Sequence, residues 1–153
     1  MSENLLNVGW REWLALPELG LPKIKAKVDT GARTSCLHAF EIDPYTENGI
    51  EKVRFLMHPI QKRVDIVKEC FATVVDKRTV SDSGGHKEKR YVILTPIQLG
   101  QQQWDIEITL TSRDAMMFRM LLGRTAMEGR ILVNPGRSYL TGIPLDIQSA
   151  YLR

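Results

Sequence analysis

Two stretches of this chain alternate apolar and polar residues with a period of two. In KIKAKV, residues 23–28, Ile24, Ala26 and Val28 alternate with lysines, and in QWDIEITL, residues 103–110, every second residue is apolar. Successive side chains of a β-strand point to opposite faces of a sheet, so this pattern indicates strands with one buried and one solvated face. The chain is therefore expected to form sheets that cover a core.

Shorter segments of strand character are separated by turn signals rich in Gly, Pro, Asn and Asp. The further strands predicted are 12–16, 35–42, 53–58, 70–75, 91–99 and 131–134. The turn signals are PELGLP at 17–22, DPYTENG at 43–49, SDSGG at 81–85, LGQQQ at 99–103 and NPG at 134–136. One short helix is predicted, in GRTAMEG at 123–129. Many short strands at close spacing predict an all-β barrel or sandwich.

Composition limits the classes of protein to consider. The chain has 153 residues, enough for one domain with a sizeable core, and we expect a single domain over 1–153. The net charge of +3, from 21 basic and 18 acidic residues, is too small to argue for nucleic acid as a partner. No apolar run is long enough to span a bilayer, and the first residues lack the features of a secretory signal. A cytoplasmic location and reduced thiols at Cys36 and Cys70 are therefore expected.

The motif with most chemical content is AKVDTGA, residues 26–32. The sequence contains no phosphate-binding loop, dinucleotide fingerprint, HExxH or GxSxG motif, which removes most support for the reactions that these serve. Asp29 ends an alternating strand and is followed by Thr30 and Gly31. Glycine allows close backbone approach, so amide N–H groups can point at the carboxylate. A purely structural strand-to-turn Asx cap is the alternative interpretation.

Three segments carry a resemblance to a known family. They are KVDTGARTSCLHA at 27–39, RTVSDSGGHKEKRYVI at 78–93 and FRMLLGRTAMEGRILVNPGRSYL at 118–140. The chain resembles the retropepsin-like aspartic proteases over about residues 9–140. It looks most like the bacterial family labelled ATP-dependent zinc protease, which is often associated with ligases that add glutamate to a ribosomal protein.

The resemblance implies a closed or partly open all-β barrel of the retropepsin-like acid protease type with one short helix. It also implies peptide hydrolysis by two aspartates that share a proton. Because the chain has one Asp-Thr-Gly, catalysis would require a homodimer with Asp29 of each subunit at the two-fold axis. By the same resemblance, Thr30 would hydrogen-bond across the axis and Gly31 would approach the substrate. The expected supports of this loop are Leu121, Leu122, Gly123 and Arg124.

Substrate contacts are expected from the loop and from a flap in SDSGGHK, residues 81–87. The predicted contact residues are Ala32, Arg33, Arg78, Gly84 and Gly85. One departure from the family is Arg33, which stands where an acidic residue usually pairs with the arginine of the later Gly-Arg. The basic residues that could instead form a groove for an acidic peptide are Arg33, Arg78, Lys87, Lys89 and Arg90.

Alternatives remain open for each of these features. Gly84 and Gly85 also suit a plain hairpin turn, and the basic residues near them suit a solvated strand edge. Zinc would need a set of Cys, His and carboxylate ligands, for which Cys36, His38 and His58 are weak candidates, so no metal and no cofactor is expected. Two other functions are a catalytically inactive peptide-binding barrel and a zinc-dependent hydrolase that uses His38 and His58.

Overall fold

The computed structural model describes residues 5–81, 84–112 and 117–151. Within these ranges the chain forms eleven strands, one short α-helix and two 3₁₀-helices. The strands are β1 Leu6–Val8, β2 Arg11–Leu16, β3 Leu21–Val28, β4 Ser35–His38, β5 Phe40–Glu47, β6 Ile50–Met57, β7 Lys68–Ser81, β8 Lys87–Leu99, β9 Gln102–Thr111, β10 Met120–Leu122 and β11 Ile131–Val133. The helices are α1 Arg124–Met127 and the 3₁₀-helices Pro17–Leu19 and Gln148–Ala150.

Nine of the strands described form one sheet that curls back on itself. Their order is β2-β3-β10-β4-β9-β8-β7-β6-β5, and β2 also pairs with β8 at Ala15 and Gln98. This last pairing closes six strands into a partly closed barrel, and β7, β6 and β5 continue the sheet beyond it. β1 and β11 form a separate parallel pair. The predicted all-β, partly open barrel with one short helix is confirmed.

The alternating stretches bury the residues that the sequence pattern predicts. Ile24 and Ala26 of β3 are fully buried, as is Ile108 of β9. Their polar neighbours Lys27 and Glu107 are exposed. Burial of apolar surface of this kind contributes about 25 cal/mol per Å² and drives closure of the barrel. None of the helices in the described ranges has the length and apolarity needed to cross a membrane.

The region after β4 differs from the prediction. The predicted strand 35–42 is broken at Ala39, between β4 and β5. Just inside β5, Glu41 has a φ of 48° and the register with β6 shifts. The predicted turn at 43–49 is wrong over most of its length, because β5 continues to Glu47 and only Asn48 and Gly49 form the turn. Pro44 is accommodated because β5 is an edge strand with one neighbour, so a missing N–H on its open side costs no ladder bond.

Two arrangements position the residues of interest. β10 lies between β3 and β4, parallel to the first and antiparallel to the second, and pairs Leu122 with Val28 and Leu121 with Cys36. The β7–β8 hairpin is the longest in the fold and extends the predicted strands 70–75 and 91–99 to Ser81 and Lys87. The turn after β3 lies beside β10 and beside the β7–β8 hairpin.

Candidate active site

The turn after β3, which we call the Asp29 loop (residues 29–34), holds its aspartate by backbone hydrogen bonds. Asp29 Oδ1 accepts from Gly31 N at 3.0 Å and from Ala32 N at 3.2 Å, and Asp29 N donates to Leu122 O at 2.9 Å. Asp29 is half-buried, and its Oδ2 accepts no hydrogen bond from the described residues. The geometry is an Asx turn that also fixes the direction of a partly exposed carboxyl group.

The segment from the end of β10 to the start of α1 packs against the Asp29 loop and hydrogen-bonds to its backbone. Arg124 N donates to Ala32 O at 2.7 Å, and Thr125 N donates to Arg33 O at 2.9 Å. Gly123 has to be glycine, because a Cβ there would lie 2.5 Å from the carbonyl carbon of Thr34. The predicted supports Leu122 and Gly123 therefore touch the loop directly, and Leu121 pairs with β4 beside it.

Ser35, which no sequence motif marks, is also part of this support. Its buried Oγ accepts a hydrogen bond from Gly123 N at 2.9 Å, and its carbonyl accepts one from Thr109 Oγ1 at 3.1 Å. A serine at the start of a strand is too common a signal to identify such a role from sequence. Only the close packing of the loop against β10 reveals it.

The Arg124 side chain makes its contacts with residues other than Arg33. Its Nη1 donates to the carbonyl of Thr30 at 3.1 Å, and its Nε lies 3.9 Å from Glu128 Oε1. Arg33 is exposed and makes no ion pair with the described residues. The substitution of the usual acidic residue by Arg33 thus leaves Arg124 attached to the loop through the backbone.

Thr30 and Gly31 lie at the exposed tip of the loop. A Cβ on Gly31 would approach Asp29 Oδ1 to 3.3 Å, which is tighter than most such contacts. The glycine therefore leaves room for the hydrogen bond that orients the carboxyl group. The exposed tip is free to contact another molecule.

Two cavities flank the loop. The inner cleft, of about 280 Å³, separates the loop from the β7–β8 hairpin and is lined in part by Ala32, Cys36, Val80 and Leu121. The outer pocket, of about 400 Å³, includes Arg33, Leu94 and Ala126 in its lining. Thr34 and Arg78 line both cavities. The predicted substrate contacts Ala32, Arg33 and Arg78 are therefore brought to one region.

The basic residues of this region fall into two groups. Arg78 Nε lies 2.9 Å from Asp76 Oδ2, and its Nη2 lies 3.2 Å from Glu107 Oε1. The hydrogen bond that Arg78 donates to Asp76 is the largest of the influences that raise the pKa of Arg78. Arg90 Nε lies 2.9 Å from Glu88. By contrast, the exposed cations that make no ion pair within the described ranges are Arg33, Lys87 and Lys89. The groove predicted from sequence thus contains two arginines that carboxylates already neutralise.

The predicted flap is only partly described. Gly84 and Gly85 are exposed in the connection between β7 and β8, and Gly85 has a φ of 84°, which favours glycine. Residues 82 and 83 of the predicted flap lie outside the described residues. The position of the hairpin beside the Asp29 loop suits a flap, and its closing over a peptide stays a prediction.

The weak metal candidates do not form a ligand set. His58 stacks on Phe40 with ring centroids 4.7 Å apart, and its Nδ1 lies 3.3 Å from Ile66 O. His38 is buried and Cys36 lines the inner cleft. Across the part of the chain that the structure describes, no three His, Cys, Asp or Glu side chains are placed to hold a metal ion together.

The barrel is that of the retropepsin-like class. The chain matches the RimB-like family, described as retropepsin-like aspartic endopeptidase RimB, over residues 7–143. It belongs to this family. The retropepsin-like resemblance seen in the sequence is confirmed, whereas the family description names an aspartic endopeptidase and not a zinc protease.

Similar proteins include much longer ones. A probable alpha-L-glutamate ligase of Shewanella pealeana is 49% identical over 148 residues, which are 97% of this chain and 32% of that protein. A probable alpha-L-glutamate ligase of Desulfotalea psychrophila is 48% identical over 137 residues, 88% of this chain and 30% of that protein. The chain spans about a third of the length of these curated relatives.

A solved structure shares the fold. The crystal structure of Lpg0085 from Legionella pneumophila, a protein of unknown function, has a TM-score of 0.74 and 29% sequence identity. The match covers 89% of this chain and 98% of that one.

Proposed function

We propose that the chain is a homodimeric aspartic endopeptidase that hydrolyses peptide bonds through water activated by paired Asp29 carboxyl groups. The observation that carries the proposal is the Asp29 loop, where two backbone N–H groups orient one oxygen of a partly exposed carboxyl group, and where Ala32 and Thr34 border a cleft. Support from Leu122 O and from the start of α1 makes this geometry more rigid than a simple surface turn.

A dimer is proposed because the reaction needs two aspartates and each chain has one Asp-Thr-Gly motif. Two carboxyl groups close together cannot both ionise, so one acts as base on water while the other, protonated, donates to the substrate carbonyl oxygen. One Asp-Thr-Gly per chain supplies one of the two. A second copy of the chain would contact the exposed tip at Thr30 and Gly31 and supply the second carboxyl group. Residues 1–153 would act as one catalytic domain per subunit.

The proposed substrate is an acidic peptide, such as a glutamate-rich or glutamate-modified protein tail. Arg33 borders the outer pocket, and Lys87 and Lys89 lie on the β7–β8 hairpin; all three are exposed and make no ion pair with the described residues. The relatives named as glutamate ligases make a glutamate-containing substrate chemically consistent with this charge. As the sequence predicts, the proposed site of action is the cytoplasm.

The direct test is mass spectrometry of peptide libraries that include glutamate-rich tails, incubated with wild type and Asp29→Asn between about pH 4 and pH 8. Cleavage by wild type that the variant loses is the expected result, and Asp43→Asn, on the edge strand β5, is the matched control. Equal cleavage by wild type and Asp29→Asn would remove Asp29 from the chemistry.

A second candidate is a peptide-binding barrel without turnover. The exposed Arg33 in the Asp29 loop favours it, since the usual retropepsin loop has an acidic residue at this position. Binding of glutamate-rich peptides without cleavage by either protein, over the same pH range, would support this candidate. Arg33→Gln should then weaken that binding and reduce its dependence on salt.

A further inference from the structure

We propose that Arg78 is a positioning residue that links the β7–β8 hairpin to the Asp29 loop and separates two substrate subsites, rather than a cation that binds an acidic substrate. This inference rests on the proposed peptidase function. It assigns to Arg78 a role different from that of Arg33, although both residues line the outer pocket.

The Arg78 guanidinium contacts three different segments. Nε donates to Asp76 Oδ2 on the same strand at 2.9 Å, and Nη2 donates to Glu107 Oε1 on β9 at 3.2 Å. Nη1 lies 3.5 Å from Thr34 Oγ1 in the Asp29 loop, at the long end of hydrogen-bond distances. The two ion pairs, with Asp76 and Glu107, fix the orientation of the guanidinium group. The contact with Thr34 places this group against the Asp29 loop.

In this arrangement, little of the positive charge of Arg78 is available to attract an acidic substrate. Asp76 and Glu107 together carry two negative charges against the single positive charge of Arg78, so the immediate surroundings do not attract a further carboxylate. Arg33 has no such carboxylate partner among the described residues. The geometry therefore suits Arg78 to hold structure and Arg33 to meet an acidic side chain.

Arg78 and Thr34 also form the boundary between the two cavities, since both residues line each of them. On one side, the inner cleft takes part of its wall from the apolar side chains of Val80 and Leu121. On the other side, the outer pocket contains Arg33. The outer pocket is also lined by the carboxylates Asp105 and Glu107, so Arg78 and Thr34 separate a partly apolar cleft from a pocket of mixed charge. An extended peptide would thus place an uncharged side chain in the inner cleft and a polar one in the outer pocket.

A displacement of Thr34 would move the rest of the Asp29 loop. The Thr34 carbonyl group lies against Gly123, where a Cβ would be 2.5 Å from its carbon, and the next residue, Ser35, accepts the Gly123 N–H. Because this packing has no spare room, loss of the Arg78 contact should loosen the loop as a unit. Lysine cannot restore three directed contacts, since it lacks the planar fork of arginine.

The experiment compares Arg78→Lys and Arg78→Gln with the control Lys77→Gln. Lys77 is the preceding residue on β7, pairs with Glu51 at 2.7 Å and is absent from the lining of both cavities. Using a glutamate-rich peptide that wild type cleaves, we expect both Arg78 variants to lower kcat about tenfold, with KM and its salt dependence close to wild type. Thr34→Val should lower kcat similarly and be non-additive with Arg78→Gln.

A second readout does not depend on turnover. Amide hydrogen exchange at Gly31 and Ala32, the donors to Asp29 Oδ1, should be about fivefold faster in both Arg78 variants and unchanged in Lys77→Gln. If wild type cleaves nothing, or if Asp29→Asn cleaves equally well, the proposed peptidase function fails while this exchange result still tests the link to the loop.

Three outcomes would overturn the role of Arg78. One is a raised KM with weaker salt dependence and normal kcat, which is the behaviour expected of a substrate-binding cation such as Arg33. Another is recovery of wild-type kcat by Arg78→Lys, which would mean that a point charge suffices. The last is unchanged hydrogen exchange at Gly31 and Ala32 in folded Arg78→Gln, with folding checked by thermal unfolding.

Discussion

Gly123 determines how closely the Asp29 loop can pack on the end of β10. Its backbone lies against Thr34 and Ser35, with the carbonyl carbon of Thr34 only 2.5 Å from where a Cβ would be. Every atom in this contact that would have to move belongs to the backbone. The conformation of the Asp29 loop is therefore coupled to the absence of a side chain at Gly123, a residue outside the loop.

Gly123→Ala should lower the free energy of unfolding by about 2 kcal/mol, because the added methyl group forces apart two backbone segments. Urea denaturation measures this loss, and peptide cleavage should fall with it. Gly136→Ala is the control, since a Cβ there meets only Asn134 Oδ1, at 3.6 Å. Equal stability of the two variants would show that the loop can move away from β10 at no cost.

Glu12 is a fully buried carboxylate with four hydrogen-bond donors. Its two oxygens accept from Gly9 N at 2.7 Å, Leu140 N at 2.8 Å, Thr141 N at 3.0 Å and Thr141 Oγ1 at 2.7 Å. Buried polar groups of this kind are costly to leave unmatched. Glu12 thus ties the segment before β2 to the segment after β11.

Glu12→Gln should destabilise the fold by about 2–3 kcal/mol, because the amide group that replaces one oxygen faces N–H donors instead of accepting from them. Chemical denaturation monitored by tryptophan fluorescence is a suitable measurement. The exposed Glu18 offers a control in Glu18→Gln, which should change stability little. A loss as small as that of the control would contradict the role of the Glu12 network.

At the level of elements, long periodic strands could be predicted, whereas two of the three-residue strands could not, although the third, β11, lies within the predicted strand 131–134. β3 and β9 follow their alternating patterns, whereas β1 and β10, with three residues each, are too short to show a period. β5 was missed in part because Asp43, Pro44 and Asn48 have turn propensity, which sheet pairing with β6 overrides for the first two. The turn at Asp29 could be predicted from its motif, whereas the role of Ser35 and the ion pairs of Arg78 depend on contacts across the fold.

The C-terminal 3₁₀-helix is attached to β3 through Tyr151. The Tyr151 hydroxyl accepts from Lys23 N at 3.1 Å and donates to Lys23 O. Burial raises the pKa of Tyr151 to about 12, and burial also raises the pKa of the Cys70 thiol to about 12. Both groups are therefore held in their neutral forms in the folded state.

Because both pKa values are raised on folding, the contribution to stability is present below the pKa values of the unfolded chain, about 8.5 for Cys and 10 for Tyr. It should be lost as pH rises towards about 12, since the unfolded state releases these protons first. Unfolding free energies measured across this alkaline range should fall less steeply for Tyr151→Phe and for Cys70→Ala. An identical slope in both variants and wild type would exclude these two groups as its origin.

For the whole molecule, the proposed activity belongs to a pair of chains. In the proposed dimer, each subunit would contribute one Asp29 from a loop whose tip is exposed. A heterodimer of wild type and Asp29→Asn would contain a single aspartate and should be inactive. The proposed assembly thus makes a prediction that does not require knowledge of the interface.

Mixing wild type with an excess of Asp29→Asn, under conditions in which subunits exchange, should reduce activity per wild-type chain roughly in proportion to the wild-type fraction. The measurement is peptide cleavage at fixed wild-type concentration, with sedimentation to follow the dimer. Adding the same excess of a doubly substituted chain, Asp29→Asn with a bulky Thr30→Arg at the tip, should inhibit less because it should dimerise less. Activity that is unaffected by any excess of Asp29→Asn would indicate a monomeric catalyst.

The Glu12 network also has a consequence for how the protein is made. Three of its four donors come from residues 128 or 129 positions later in the chain. During synthesis on the ribosome, the Glu12 carboxylate on β2 therefore cannot form these hydrogen bonds until almost the entire domain has been made. Contacts between such distant segments slow folding, so chaperones that shield the first strands of the nascent chain should raise the yield of native protein.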